Sequence, residues 1–149
     1  MADGEARSGA GAGEWGAMQA SGLPASPMLA LLGVALVRAR PGEVVLSATP
    51  RADFANQHGI AHGGYAATLL DTACGGAVIS QLAPGQICLT LELKTVYLSA
   101  IRLDAGPLAI TGRVQKLGRS VAFAEAEIRD GAGQLLASAT STLTVRQAG

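Results

Sequence analysis

Residues 63–82 constrain the fold more than any other part of the chain. Small and apolar residues dominate this segment up to the turn at Pro84-Gly85, which predicts one long helix. Its small residues are Gly64, Ala66, Ala67, Ala73, Gly75, Gly76 and Ala77. Because each glycine inside a helix costs roughly 1 kcal/mol relative to alanine, their number indicates that a wrapping sheet or a ligand approaches the helix backbone closely. A tightly packed core helix is the simpler interpretation.

Strand patterns lie on both sides of this helix. GVALVRA and EVVLSAT flank the turn at Pro41-Gly42 and predict a hairpin, after a short helix over residues 27–32. ICLTLELKTVYL alternates with period two, which predicts a half-buried strand. The face predicted to be buried carries Ile87, Leu89, Leu91 and Leu93. PLAITGRVQKL, SVAFAEAEIRD and QLLASATSTLTVR predict three more strands. The sequence therefore predicts an α+β fold, with one long helix against an antiparallel sheet of about six strands.

The composition favours a single domain. The chain has 149 residues, of which 15% are charged, against roughly 25% in an average soluble domain. With so little charge to cover the surface, we expect part of it to lie against another copy of the chain. The formal net charge is zero and no basic cluster is present, which argues against nucleic acid and anionic membranes as partners.

The N-terminal part of the chain carries no functional pattern. Residues 1–26 are rich in glycine, alanine and serine, so we expect a disordered or loosely ordered tail ahead of a domain over residues 27–149. The tail contains GAGEWG, but no strand precedes this GxGxxG match, so no nucleotide site is predicted. The run MLALLGVALV is shorter than the roughly 20 residues that span a bilayer. It also lacks the basic leader of a signal peptide, so we expect a cytoplasmic protein.

Asp71 is the one acid in the predicted helix, where burial of a carboxylate is costly. If the helix begins near Gly63, its first turn offers unpaired N–H groups, a partial positive charge and a backbone that a ligand can approach. Such an end can hold a carbonyl oxygen as it becomes an oxyanion. Asp71 is then a potential nucleophile or general base for the same carbonyl. A buried acid paired for structural reasons is the alternative.

Neighbouring polar residues also leave alternatives open. His62 fits a helix cap or a structural histidine as well as a catalyst. His58 and His62 are spaced like paired metal ligands, but the chain has no third histidine, so no metal site is predicted. Cys74 fits a buried, inert thiol better than a nucleophile because no third orienting group is evident.

The motif NQHGIAHGG followed by TLLDTA resembles the PaaI-type acyl-CoA thioesterases of the hotdog fold. The resemblance extends from about residue 28 to residue 146, and the order of elements agrees with it. It implies hydrolysis of an acyl-CoA to a carboxylic acid and free CoA, without a metal or redox cofactor. It leaves the acyl group open between aryl and medium-chain types. A non-catalytic acyl-CoA-binding hotdog protein is an alternative, and a hotdog hydratase or dehydratase is a weaker one.

The resemblance also implies roles for residues at matching positions. Asp71 corresponds to the catalytic carboxylate, as nucleophile or general base. The N–H of Gly63 would polarise the thioester carbonyl, and Asn56 would help to place the water or the thioester. His62 would shape the site, with Gly64 beside it on the substrate side. Sites of this family lie between two chains of a homodimer or homotetramer, with Asp71 expected from one chain and Asn56 from the other.

Two features of the site remain expectations. Some relatives carry a threonine one turn after the catalytic acid, where this chain has Gly75, and others use a hydroxyl on the following strand, which corresponds to Thr90. Strict alternation turns Thr90 away from the leucine face, which leaves it open between its own Asp71 and the site of a partner chain. Lys116 and Arg119 are the expected contacts for the CoA phosphates, unless they are ordinary surface charges.

Overall fold

The computed structural model of the protein describes residues 26–149. The elements in chain order are α1 (Pro27–Leu32), β1 (Ala35–Arg40), β2 (Glu43–Ala48), a 3₁₀ turn (Ala52–Phe54), α2 (Gly63–Ile79), β3 (Gln86–Tyr97), β4 (Leu108–Leu117), β5 (Val121–Arg129) and β6 (Leu135–Gln147). The long helix ends at Ile79, a few residues before the predicted end. Residues 1–25 of the predicted tail, with the GAGEWG match, lie outside the described residues.

The six strands form one antiparallel sheet in the order β1-β2-β4-β5-β6-β3, and α2 lies across it. This is the α+β architecture that the sequence predicts and the hotdog arrangement that the resemblance implies. The last strand alternates as expected, with Ala137, Ala139 and Leu143 buried against the helix. Among the described strands, this order leaves β3 at one edge of the sheet, paired with β6 alone.

Small residues let the helix approach the sheet. Gly112 in β4 lies against α2, and a Cβ built at this glycine would overlap the Ala73 carbonyl. Ala73 of the helix and Gly112 of the sheet therefore bring the two backbones together at this point. Fully buried side chains on both elements complete this core, among them Leu46, Leu69, Leu70, Ile110 and Ile128.

The predicted facing of β3 is wrong up to the bulge in this strand and correct after it, where Leu93 packs against the core. Leu89 and Leu91, predicted to be buried, are 49% and 63% exposed. A β-bulge between Thr90 and Glu92 inserts one extra residue into the strand and reverses which side chains face the helix. Thr90 contacts α2 before the bulge, and Tyr97 contacts it after the bulge.

Between residues 26 and 149, no helix combines the length and apolar character needed to cross a membrane. The expectation of a cytoplasmic location stays a prediction.

Candidate active site

His62 caps the start of α2. It has extended backbone torsions, and its Nδ1 accepts the Gly64 N–H at 3.0 Å. Its own N–H donates to the Phe54 carbonyl at 2.8 Å, which ties the helix start to the preceding 3₁₀ turn. A histidine cap satisfies one of the four N–H groups that a helix start leaves unpaired. The interpretation of His62 as a helix cap is thereby confirmed.

The N–H of Gly63 points out of the helix start. In the peptide group that joins His62 to Gly63, the carbonyl accepts the N–H groups of Tyr65 at 3.0 Å and Ala66 at 3.4 Å. The N–H of a trans peptide lies opposite its carbonyl, so this N–H points away from the helix body. No acceptor in residues 26–149 bonds it. Such a fixed, unpaired donor can stabilise negative charge on a carbonyl oxygen.

This end of the helix opens onto a groove of about 310 Å³. Its lining residues are Asn56, Ile60, Ala61, Gly63, Ala66, Tyr97, Leu98, Ser99, Ala100 and Ile101. Asn56 Oδ1 accepts the N–H groups of His58 at 2.9 Å and Ile60 at 3.4 Å. The loop therefore holds the amide oxygen, and the side-chain NH₂ is the remaining donor. The groove thus combines an apolar wall with two donors, the Gly63 N–H and the Asn56 amide.

Asp71 lies half-buried on α2 and has one hydroxyl partner. The Thr90 hydroxyl donates to Asp71 Oδ1 at 2.7 Å, so this threonine reaches the carboxylate of its own chain. One turn further along the helix, a Cβ at Gly75 would meet nothing within 4 Å. A carboxylate whose one oxygen is held by a hydroxyl keeps its second oxygen for water or substrate.

A single chain does not bring Asp71 to the groove. At 1.5 Å of rise per residue, Gly63 and Asp71 are about 12 Å apart along the helix axis. Asp71 is also absent from the residues that line the groove. The Gly63 N–H and the Asp71 carboxylate of one chain are therefore too far apart to act on one carbonyl group.

Lys116 and Arg119 lie near the turn between β4 and β5. Both are exposed, and neither has an ion-pair partner within residues 26–149. The strand register links Leu117 through β5 and β6 to Thr90, which places this turn at the same end of the sheet as the Asp71–Thr90 pair. Arg102, a further basic residue, is held by Asp104 through two hydrogen bonds of 2.9 Å.

Cys74 has the properties of an inert thiol. It is fully buried, and burial together with the nearby charges of Asp71 and Glu125 raises its pKa to about 12. His58 is exposed, and its backbone N–H is bonded to Asn56. In the described part of the chain, no group of three or more histidine, cysteine or acidic side chains is arranged to hold a metal ion.

Tyr97 is the contact that sequence reasoning missed. Its hydroxyl donates to the Gly63 carbonyl at 2.9 Å, although 34 residues separate the two in the chain. Alternation places Tyr97 on the same face as Leu93, but nothing in that pattern says that this face meets α2 at Gly63. The one sequence feature that could have drawn attention to Tyr97 is its position at the end of a long predicted strand.

Comparison with known proteins gives a consistent family signal. Residues 58–137 match the model of the thioesterase superfamily. Human acyl-coenzyme A thioesterase 13 is 30% identical over 112 residues, which cover 73% of this chain and 77% of the human protein. The crystal structure of a thioesterase family protein from Silicibacter pomeroyi superposes with a TM-score of 0.80 at 28% identity, covering 93% of this chain and 99% of that one.

A second solved structure is that of a hypothetical thioesterase protein from Streptococcus pneumoniae, crystallised with coenzyme A. It is 32% identical, with a TM-score of 0.71, and the match covers 76% of this chain and 86% of the other.

Proposed function

Because the chain belongs to the thioesterase superfamily and is a thioester hydrolase, we propose that its substrate is an acyl-CoA, which it converts to a carboxylic acid and free CoA. The observation that carries this proposal is the outward-facing N–H of Gly63 at an apolar groove, which no acceptor in the described part of the chain bonds. A relative solved with coenzyme A supports CoA as the leaving thiol.

The Gly63 N–H acts in this proposal as the oxyanion donor. The thioester carbonyl lies against the helix start, where the absence of a side chain at Gly63 leaves room for it. As a nucleophile adds to the carbonyl carbon, negative charge develops on its oxygen, and the fixed N–H and the helix dipole stabilise that charge. The Asn56 amide, on the same groove, helps to orient the thioester or the attacking water. The N–H of Gly64 is bonded to His62 and is not a second donor, so Gly64 contributes only space beside this position.

Asp71 supplies the nucleophile or the general base. As a base it accepts a proton from water while the water oxygen bonds to the carbonyl carbon. The tetrahedral intermediate then collapses with loss of the CoA thiolate. As a nucleophile the carboxylate forms an anhydride with the acyl group and expels the thiolate, and water then hydrolyses the anhydride. In both routes the Thr90 hydroxyl holds one carboxylate oxygen so that the other faces the substrate.

The active site is proposed to combine two chains. The Asn56 and Gly63 of one chain would face the Asp71 and Thr90 of a partner, since about 12 Å of helix separates Gly63 from Asp71 within one chain. The exposed apolar side chains of the edge strand β3, including Leu89 and Leu91, supply a surface for such pairing. The assembly would be a homodimer or a homotetramer, with two chains completing each site.

The groove and the nearby basic residues suggest the kind of substrate. A volume of about 310 Å³ with Ile60, Ala61, Ala66 and Ile101 among its lining suits an aryl or medium-chain acyl group. Lys116 and Arg119 are proposed to contact the CoA phosphates, because each is exposed and lacks an ion-pair partner in the described residues.

Release of free thiol tests this function. A panel of aryl, medium-chain and short-chain acyl-CoAs should show turnover, with the highest kcat/KM for an aryl or medium-chain member. The same acyl group on a short thiol without the nucleotide should give a higher KM. Tight binding of acyl-CoA without thiol release would instead support the non-catalytic alternative, and equal KM values for both thiols would remove Lys116 and Arg119 from the site.

A further inference from the structure

Tyr97 makes a contact that the proposed reaction leaves unexplained. It is the last residue of the edge strand β3, it is 53% exposed, and its hydroxyl donates to the Gly63 carbonyl at 2.9 Å. Its ring also lies against Gly63, since a Cβ built there would come within 3.3 Å of the ring carbon that bears the hydroxyl. Tyr97 therefore contacts the residue whose N–H is the proposed oxyanion donor.

The contact completes a set of bonds around one peptide group. The peptide between Gly63 and Gly64 is held at its carbonyl by the Tyr97 hydroxyl and at its N–H by His62 Nδ1. The preceding peptide is held at its carbonyl by the N–H groups of Tyr65 and Ala66. Gly63 lies between these two fixed peptides, and glycine is the residue with the widest backbone freedom. Its torsions therefore depend on bonds to the peptides on either side.

We propose that Tyr97 is a positioning residue, which fixes the Gly63–Gly64 peptide so that the adjoining Gly63 N–H keeps its direction toward the thioester oxygen. This inference rests on the proposed role of Gly63. It gives Tyr97 no contact with the reacting atoms, because its hydroxyl is already bonded to the Gly63 carbonyl. Preorganised donors stabilise charge without reorganising during the reaction, so loss of the bond should lower kcat more than it changes substrate binding.

The bulge in β3 allows Tyr97 to contact α2 while Thr90 contacts it as well. Thr90 and Tyr97 are seven residues apart, so strict alternation would turn them to opposite faces of the sheet. The extra residue at the bulge brings both onto the α2 side, one at Asp71 and the other at Gly63. One irregularity in an edge strand thus serves both the acid and the oxyanion donor.

The test compares the two tyrosines of the chain. Tyr97→Phe keeps the ring and deletes only the bond to Gly63, and we expect kcat to fall about fivefold to tenfold, as loss of one ordinary hydrogen bond would produce. KM should change less than about twofold, because the groove keeps its wall. Tyr65→Phe is the matched control. The Tyr65 hydroxyl is buried and has no hydrogen-bond partner among residues 26–149, so its removal should leave kcat unchanged.

Amide hydrogen exchange provides a readout that does not depend on turnover. In Tyr97→Phe, the Gly64 amide should exchange faster than in wild type, whereas Tyr65→Phe should leave that rate unchanged. An unchanged kcat in Tyr97→Phe, or a rise in KM alone, would overturn the proposal. If the wild type hydrolyses no acyl-CoA, the proposed function fails, and the exchange rate still decides whether Tyr97 fixes this peptide. Unchanged exchange would then overturn the inference, and faster exchange would support it.

Discussion

At the scale of single residues, the pairing of Asp71 with Thr90 determines how the acid can act. A hydroxyl that donates to one carboxylate oxygen at 2.7 Å restricts rotation of the carboxylate and leaves the other oxygen to meet water or the thioester. In the proposed site, Thr90 takes the place of the hydroxyl that Gly75 lacks, because it reaches Asp71 from the neighbouring strand.

Thr90→Val should lower kcat about tenfold, because the carboxylate loses the bond that orients it. Thr90→Ser keeps a hydroxyl at the same position and should restore most of the activity. Thr142→Val is a matched control, since the Thr142 hydroxyl bonds Glu92 and has no contact with Asp71. Steady-state thiol release measures all three variants, and wild-type kcat in Thr90→Val would remove Thr90 from the mechanism.

Cys74 should resist thiol reagents in the native protein. Burial and neighbouring negative charge raise its pKa to about 12, so the reactive thiolate is nearly absent at pH 8, and its fraction grows only as the pH approaches that value. A colorimetric thiol reagent at pH 8 should label both cysteines after denaturation and leave Cys74 unlabelled in the native state. Native labelling of Cys74 at the rate of a free thiol would contradict its burial.

The sequence was informative about residues whose role depends on local spacing. Gly63 and Asp71 lie within one helix and His62 caps it, so the distance of each from the helix start follows from its position in the chain. Tyr97 could not be identified in the same way, because its contact with Gly63 depends on how a distant strand lies against that helix.

At the scale of elements, the close approach of α2 to the sheet is the main constraint. The small residues of the helix predict it, although they do not say which residue lies opposite. Gly112 occupies that position in β4, with the Ala73 carbonyl where a side chain would begin. The alternation of β6 could also be predicted from sequence, because a central strand between two neighbours follows the regular pleat.

Gly112→Ala should destabilise the fold by about 1–3 kcal/mol or more, because helix and sheet must separate to admit a methyl group. Gly131→Ala is the control, since a Cβ there meets nothing within 4 Å. Urea unfolding monitored by circular dichroism compares the two variants. Equal stability of Gly112→Ala and wild type would mean that the two backbones are farther apart than described.

The edge strand β3 shows where prediction from alternation fails. Its leucines alternate regularly in sequence, yet the bulge after Thr90 shifts the second half of the strand by one position. A bulge is set by pairing with β6 and by packing on α2, and neither is encoded in the local period of β3. Leu89, before the bulge, pairs with Thr144 on the face turned away from α2, and Leu91 is the unpaired residue of the bulge, so both are exposed.

At the scale of the whole molecule, low charge and exposed apolar side chains on β3 point to assembly. The exposed apolar residues of this strand and the loop after it are Leu89, Leu91, Val96, Tyr97 and Leu98. Patches of this kind on a monomer commonly mark interfaces. The proposed mechanism also requires assembly, because Asp71 and Gly63 of one chain are too far apart to act on the same carbonyl group.

Mixing two inactive variants tests the shared site. Asp71→Asn and Asn56→Ala should each lose most activity alone, and co-refolding them should restore about a quarter of wild-type turnover, because half of the dimers then carry one intact site. Light scattering should show a dimer or tetramer for each sample. No recovery from correctly assembled mixtures, or a monomer at micromolar concentration, would contradict a site built from two chains.

The central claim is that Asp71 carries acyl-CoA hydrolysis, and one substitution tests it most directly. Asp71→Asn replaces the carboxylate with a group of the same shape that is neither a base nor a nucleophile. Thiol release from the best acyl-CoA substrate should fall by at least about 10²-fold in kcat, with circular dichroism and assembly unchanged. Near-normal turnover by the folded Asp71→Asn protein would contradict the account.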